Sequence, residues 1–254
     1  GVPQFSVVVP TLDRPDSLDR LLLGLTGLTT PPSGFEVIVV DDGGSAPLDG
    51  TIAPYRDLLQ INLIRHPWSG PARSRQTGAE QARGHYLAFI DDDCVPAPDW
   101  LERLRRRVED APGSAVGGHV VNALTANSYA AAGQWVITYC CRHFNRDRAD
   151  GRFFTANNLA FPREEFLAVG GMNCPWRLAG GEDRELCGRW RASGRRVIYE
   201  PAAVVYHAHR LRLGSFVRQQ FRYGRGSYLV RHHHALLGHE VLRFESPGFY
   251  LRLP

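Results

Sequence analysis

The chain has 254 residues and a mass of 28.4 kDa, with 43% hydrophobic, 22% charged and 10% aromatic residues. That length suits one large domain or two small ones, and its ordinary charge and apolar content exclude a disordered or collagen-like chain. The net charge of +4 is uneven: residues 1–209 carry 22 Arg against 24 acidic residues, residues 210–254 carry 8 Arg against 2 Glu, and there is no Lys. Such a basic tail suggests an anionic neighbour, a membrane surface or a phosphorylated acceptor.

No stretch approaches the 18 or so apolar residues of a membrane span. Residues Gly1 to Phe5 have neither an initiator Met nor a signal-peptide pattern and read as a trimmed start. The five cysteines (Cys94, Cys140, Cys141, Cys174 and Cys187) are odd in number and form no CxxC pair. They read as reduced thiols, which implies a cytoplasmic protein, at the inner face of the membrane if the tail docks there.

Phe5 to Pro10 is a short β-branched run closed by proline and predicts a buried strand. A helix follows from Asp16 to Leu28, with Leu18, Leu21, Leu22 and Leu25 at helical spacing. Phe35 to Val40 predicts a second buried strand, ending at Asp41 and Asp42. The run Leu58 to Ile64 predicts a third strand and Pro71 to Ala82 a helix. Tyr86 to Ile90 predicts a fourth strand, ending at Asp91, Asp92 and Asp93, before a helix over 98–109. Alternating strands and helices without hydrophilic alternation imply an α/β, mostly parallel, doubly wound sheet covered on both faces. Ligands of such sheets sit beyond the carboxyl ends of the strands, where Thr11 with Asp13, Asp41 with Asp42, and the Asp91–Asp93 triplet converge.

The second half is less regular. Phe153 to Phe161 reads as extended, Glu182 to Ala192 as a helix with Leu186 and Trp190 inward, and Arg196 to Tyr199 and Ala203 to Tyr206 as short strands. The expected organisation is one half over 1–115, a second half over 116–210 sharing its sheet, and a basic amphipathic helical segment over 211–254.

Three aspartates at one strand end repel each other unless a cation sits among them. On an extended backbone Asp91 and Asp93 face the same side, as a hard divalent ion with positions open to diphosphate oxygens requires. The competing reading is a helix cap or solvated turn. Asp41 and Asp42, followed by two glycines, read by themselves as a turn, and otherwise as carboxylates accepting hydrogen bonds from a base or ribose.

In order along the chain, eight segments resemble glycosyltransferase family 2, the GT-A-fold enzymes that use nucleotide sugars. They are Val7 to Thr11 (VVVPT), Val39 to Gly43 (VVDDG), Arg75 to Gly78 (RQTG), Gly84 to Asp93 (GHYLAFIDDD), Asn157 to Arg163 (NNLAFPR), Val169 to Met172 (VGGM), Gly180 to Leu186 (GGEDREL) and Val204 to His207 (VVYH). The resemblance covers residues 4–210 or so. It implies a Rossmann-like, mixed but mostly parallel sheet and transfer from a nucleoside diphosphate sugar, expected to be a UDP-sugar, to a sugar, lipid-linked or small-molecule acceptor. Pro10 and Thr11 would line the nucleobase pocket, Asp42 would read the base with Asp41 nearby, Arg75 would approach the nucleotide and Asp92 its ribose. Asp91, Asp93 and His207 would hold Mn²⁺ or Mg²⁺, and Asp183 would be the general base. Leu12 and Gln76 depart from the family pattern, which often has an aromatic and an Asn at these places.

The chemistry implied is direct displacement with inversion: a divalent ion stabilises the departing diphosphate while Asp183 takes the acceptor proton. The alternative for Glu182 and Asp183 is favourable charge in the first turn of a helix. Gly180 and Gly181 would let this loop close over both substrates. Asn157, Trp176, Arg177, Glu182 and the Gly170–Gly171 loop would border the acceptor. His209 is a phosphate contact or simply exposed, and His232 to His234 read as solvated. From Leu213 to Arg231, Leu213, Val217, Phe221 and Tyr228 share one face and Arg218, Arg222 and Arg225 another. This predicts a helix whose apolar side packs inward and whose arginines face lipid phosphates. A nucleotidyltransferase is disfavoured because no glycine-rich basic loop follows the first strand, and nucleic-acid binding because no recognition module is present. A catalytically inactive sugar-nucleotide-binding or membrane-docking module remains the non-enzymatic alternative.

Overall fold

The computed structural model describes residues 1–174, 176, 180–236 and 245–252. The first half runs β1 (Phe5–Thr11), α1 (Pro15–Thr26), β2 (Phe35–Asp41), α2 (Asp49–Ile52), β3 (Ile61–Arg65), α3 (Pro71–Gln81), β4 (Tyr86–Phe89), β5 (Cys94–Pro96) and α4 (Trp100–Asp110). It continues with β6 (Ala115–Asn122), α5 (Ser128–Phe144), β7 (Leu159–Pro162), α6 (Arg163–Ala168), α7 (Glu182–Ala192), β8 (Val197–His207), α8 (Leu213–Leu236) and α9 (Pro247–Tyr250).

The described strands form one sheet in the order β3-β2-β1-β4-β7-β6-β8-β5. β1 pairs in parallel with both β2 and β4, and β3 adds in parallel to β2. The second half joins through antiparallel β7, so both halves share the sheet. Every residue of β1 and β2 is buried, because helices cover both faces. Successive side chains alternate between them: Val7 and Val9 pack with Leu18, Leu21 and Leu22 of α1 and with Trp100 of α4. Val8 packs on the other face with Ala72 and Ala79 of α3 and with Leu186 and Trp190 of α7. Burying aliphatic side chains of this size stabilises the fold by about 1.5–3 kcal/mol each.

Three expectations are corrected. The two short strands near 196–206 are one strand, β8, interrupted only by a register shift where it pairs with β6 at Gly118 and His119. The Asp91–Asp93 triplet is a turn rather than extended chain, closed by the Cys94 amide donating to the Asp91 carbonyl at 3.0 Å, so alternation does not apply to it.

The third concerns α8, whose apolar stripe points outward. Leu213, Val217, Phe221 and Tyr228 are 59, 56, 74 and 60% exposed, whereas Gln219, Gly226, Val230 and His234 are buried. Docking requires close backbone approach, and the small residue that permits it, Gly226, lies on the side of α8 away from the apolar stripe. His234, read as solvated, is 3% exposed and packs on Gly188. Among the described residues no helix is long and apolar enough to cross a membrane, and all five cysteines are free thiols.

Candidate active site

Because β1, β2 and β4 run in the same direction, their carboxyl ends meet at one edge of the sheet. A cavity of about 1170 Å³ opens there, and its walls include Pro10, Thr11, Asp42, Arg75, Asp91, Asp93, Asn157, Glu182, Asp183 and His207. Asp92 lies beneath this wall, fully buried. Its carboxylate accepts from Thr11 Oγ1 at 2.7 Å and pairs with Arg14 at 2.9 Å. Burial pushes Asp92 up to about 7, although Arg14 opposes the shift.

The turn at Asp91–Asp93 aims its carboxylates apart. Asp91 Oδ1 lies 2.5 Å from Arg75, whose guanidinium also reaches Glu182 Oε1 at 3.3 Å. Arg75 is 4% exposed, and the two carboxylates outweigh burial in holding it charged. Asp93 faces the other way: Oδ1 is 3.3 Å from His207 Nε2, while Oδ2 is 3.4 Å from His209 Nδ1 and 2.9 Å from Arg14. Burial opposes charge on Asp93, but the two imidazoles and Arg14 hold its carboxyl well below the usual range. Burial likewise works against a charged His207, and Asp93 overrides it and raises the imidazole.

Among the described residues, Asp93, Cys94 and His207 are the group whose ligand atoms lie close enough to share an ion, all within 4.8 Å. Burial and Asp93 push the Cys94 thiol up, so it stays protonated and is a poor donor to a hard ion. The carboxylate and imidazole fit Mn²⁺ or Mg²⁺ with other positions open to substrate oxygens. Asp91 is bound to Arg75 and is not in that group.

At β2, Asp42 accepts from the Ser69 and Gly70 amides at 2.8 and 2.9 Å, which fixes the entry to α3. Asp41 accepts from the Gly44 amide at 2.8 Å and from Arg65 Nε at 2.9 Å, and does not line the cavity. Both carboxylates thus do the turn-forming work read for them alone, and only Asp42 also faces the cavity.

α7 begins at Gly181, whose φ of 96° is the left-handed conformation that favours glycine. Glu182 and Asp183 therefore fall in the first turn, where the helix dipole favours their charge. Glu182 Oε2 accepts from the Gly180 amide at 2.7 Å, which rigidifies the loop. Asp183 accepts from the Arg184 amide at 2.8 Å and is partly accessible from the cavity. Burial, reinforced by Glu182, pushes its carboxyl up to about 6.

On the expected acceptor side, Asn157 is buried in the cavity wall and accepts from Thr155 Oγ1 at 2.7 Å. Trp176 packs edge-on to His233 at 6.1 Å and does not line the cavity. The Gly170–Gly171 loop is tied back to Gln76, which accepts from the Met172 amide at 2.8 Å, and Arg177 lies outside the described residues. Among the cavity residues that the sequence reading did not single out are Arg14, one residue before α1, and Trp68, which is 53% exposed.

The description "Glycosyl transferase family 2" matches residues 6–168, well over half of the chain. A pre-mycofactocin glycosyltransferase of Mycobacterium tuberculosis is 29% identical over 232 residues, covering 86% of this chain and 46% of that protein. A glucosyl-dolichyl phosphate glucuronosyltransferase of Haloferax volcanii is 30% identical over 217 residues, covering 80% and 69%. A mannosyltransferase of Pyrobaculum calidifontis, solved with GDP-Man and Mn²⁺, superposes with a TM-score of 0.75 at 18% identity, covering 98% of this chain and 67% of that one. The chain therefore belongs to glycosyl transferase family 2, and its fold is GT-A. It is a glycosyltransferase domain that spans about half the length of the mycobacterial relative.

Proposed function

We propose that this domain transfers a glycosyl group from a nucleoside diphosphate sugar to an acceptor hydroxyl with inversion. The observation that carries the reading is that Asp183, held protonated to higher pH than an ordinary aspartate, opens into the same cavity as Asp93 and His207. Pro10, Thr11, Asp42 and Trp68 flank the nucleobase, while Arg75 orients Asp91 and Glu182 beneath the sugar. Asp93 and His207 would hold a divalent ion, which as a Lewis acid stabilises negative charge on the departing diphosphate. Asp183 accepts the proton of the attacking hydroxyl, and its raised affinity brings it close to a useful general base near neutral pH. Asn157 and Glu182 border the acceptor. Asp91 and Glu182 are both engaged by Arg75, which leaves Asp183 as the base and favours one displacement and hence inversion.

The Pyrobaculum structure, with GDP-Man and Mn²⁺, supports a metal-assisted nucleotide-sugar reading. The basic outer face of α8, with Arg218, Arg222 and Arg225 beside exposed apolar side chains, supports peripheral contact with an anionic membrane. The test is a thermal-shift panel of UDP, GDP, dTDP and CDP, each with and without Mn²⁺, on the unaltered chain and on Asp93→Ala. One diphosphate stabilising the unaltered chain in a metal-dependent way, with the metal dependence lost in Asp93→Ala, is the expected result. Metal-dependent stabilisation that survives in Asp93→Ala refutes the assigned ion site.

A further inference from the structure

The turn between β1 and α1 breaks local rules around Arg14. Arg14 is the N-cap residue of α1, yet its side chain caps nothing, at a position that favours short oxygen-bearing side chains. A cation there also opposes the helix dipole, whose N-terminus favours negative charge. The residue before it, Asp13, has a φ of 51°, in the left-handed region, and is alone in this among the described non-glycine residues. Ser45 holds it there, its amide and hydroxyl donating to Asp13 Oδ1 at 2.7 and 2.9 Å. Such departures from local preference persist where the surrounding structure needs a side chain aimed, and here the side chain aimed is Arg14.

Its guanidinium bridges Asp92 Oδ1 and Asp93 Oδ2, each at 2.9 Å. Arg75 bridges a second pair, Asp91 and Glu182, but is buried between them. The Arg14 side chain is instead 46% exposed and forms part of the cavity wall. One cation is built in, and the other has room to move. Asp93 turns its remaining oxygen, Oδ1, to His207 Nε2 at 3.3 Å, so Arg14 already occupies half of the carboxylate assigned to the ion. Two cations on one largely buried carboxylate repel each other. A diphosphate in the cavity would offer the guanidinium a charge-assisted, two-pronged partner in its place.

We propose that Arg14 stands in for the divalent ion until the donor binds: its guanidinium balances Asp92 and Asp93, and when a nucleoside diphosphate enters it releases Asp93 and turns onto the diphosphate. The inference rests on the donor and ion reading above and adds one residue to it. Arg14 therefore opposes ion binding in the absence of nucleotide and supports nucleotide binding in the presence of the ion, so that ion and donor load together. Asp92 still accepts from Thr11 Oγ1 through its other oxygen, Oδ2, at 2.7 Å, which keeps the strand end in place when Arg14 moves.

The test is titration of the full chain with Mn²⁺ alone, followed by the electron paramagnetic resonance of the free ion, for the unaltered protein, Arg14→Gln and Arg14→Lys. Arg14→Gln removes the competing charge and is expected to bind Mn²⁺ about tenfold or more tightly, whereas Arg14→Lys keeps the charge and stays within about threefold of the unaltered chain. Calorimetric titration with UDP, GDP, dTDP and CDP at saturating Mn²⁺ is expected to change in the opposite direction. The diphosphate that binds the unaltered chain should bind Arg14→Gln about tenfold more weakly. A residue with only a structural role would weaken both together. Mn²⁺ binding to Arg14→Gln no more tightly than to the unaltered chain, or unchanged nucleotide affinity in that variant, overturns the proposal. The unaltered chain supplies a check that needs no variant: it should bind Mn²⁺ about tenfold or more tightly with the nucleoside diphosphate than without it, and equal affinity overturns the proposal. Mn²⁺-dependent nucleotide binding that is the same in all three chains defeats the role of Arg14 and leaves the donor site. No Mn²⁺-dependent nucleotide binding in any of them defeats the ion reading, and this inference with it.

Discussion

Gly226 of α8 lies so close to Gly180 that a Cβ on it would stand 2.3 Å from the Gly180 carbonyl oxygen. The tail helix is therefore seated on the loop that leads into α7 just before Asp183. A glycine that weakens α8 as a helix is what allows α8 to dock. Gly226→Ala must displace either α8 or the loop, an overpacking cost of about 1–3 kcal/mol. The expected outcome is a lower melting temperature and turnover reduced well beyond the change in nucleotide affinity, because Pro10, Thr11 and Asp42 are carried by the carboxyl ends of β1 and β2 and not by the loop against Gly226. Unchanged turnover in the Ala variant would show that the contact is not coupled to the loop.

Asp183→Asn is expected to keep nucleotide binding and lower transfer by about 10²–10⁴-fold, the usual contribution of a positioned base. In the unaltered enzyme, transfer should rise with pH through about 6 as the carboxyl loses its proton. The same shift has a stability sign. A carboxyl raised above its unfolded value contributes stability that is complete below the unfolded pKa and lost as pH rises through about 6. Asp183→Asn should therefore melt higher than the parent at pH 8 and gain little at pH 4. A flat transfer–pH profile across this range would remove Asp183 from the proton transfer.

Arg75 is buried between Asp91 and Glu182. Arg75→Met leaves two carboxylates without their cation, and breaking a buried pair in this way costs about 3–5 kcal/mol. The expected result is a large fall in melting temperature at pH 8 that shrinks in mild acid, as the orphaned carboxylates take up protons. A deficit independent of pH would mean that the loss is one of packing.

Leu12 leaves the first strand end without an aromatic, and Trp68 stands in the wall of the same cavity beside Asp42. Stacking of a base on an aromatic ring is worth about 1–3 kcal/mol. Trp68→Ala should weaken nucleoside diphosphate binding about tenfold or more while leaving the melting temperature of the free protein unchanged, since the side chain is exposed. Equal affinity in the two proteins would leave Trp68 a surface residue.

Local pattern was enough for β1 to β4, α1, α3 and α4, but not for α2 and β5. The mostly apolar runs of β1 and β2 and the leucine spacing of α1 specify buried parallel strands and a covering helix from local pattern. α7 was legible to the residue, because glycines precede it and acidic residues open it. α5 was not foreseen. Its Ala, Gly and Cys content carries a weak apolar period, and its start depends on the Asn127 side chain accepting from the Ala130 amide at 2.9 Å.

Residue types and chain order determined which groups would gather beyond the strand ends, because parallel strands bring their carboxyl ends to one edge. Tertiary structure decided how those groups pair: the turn at Asp91–Asp93 gives Asp91 to Arg75 and Asp93 to His207, a partition that pairs residues up to 114 positions apart. It also decided which face of α8 is buried. Helical period shows that a face is apolar, but the seat is set by where a backbone can approach, and only Gly226 against Gly180 and Gly181 allows that contact.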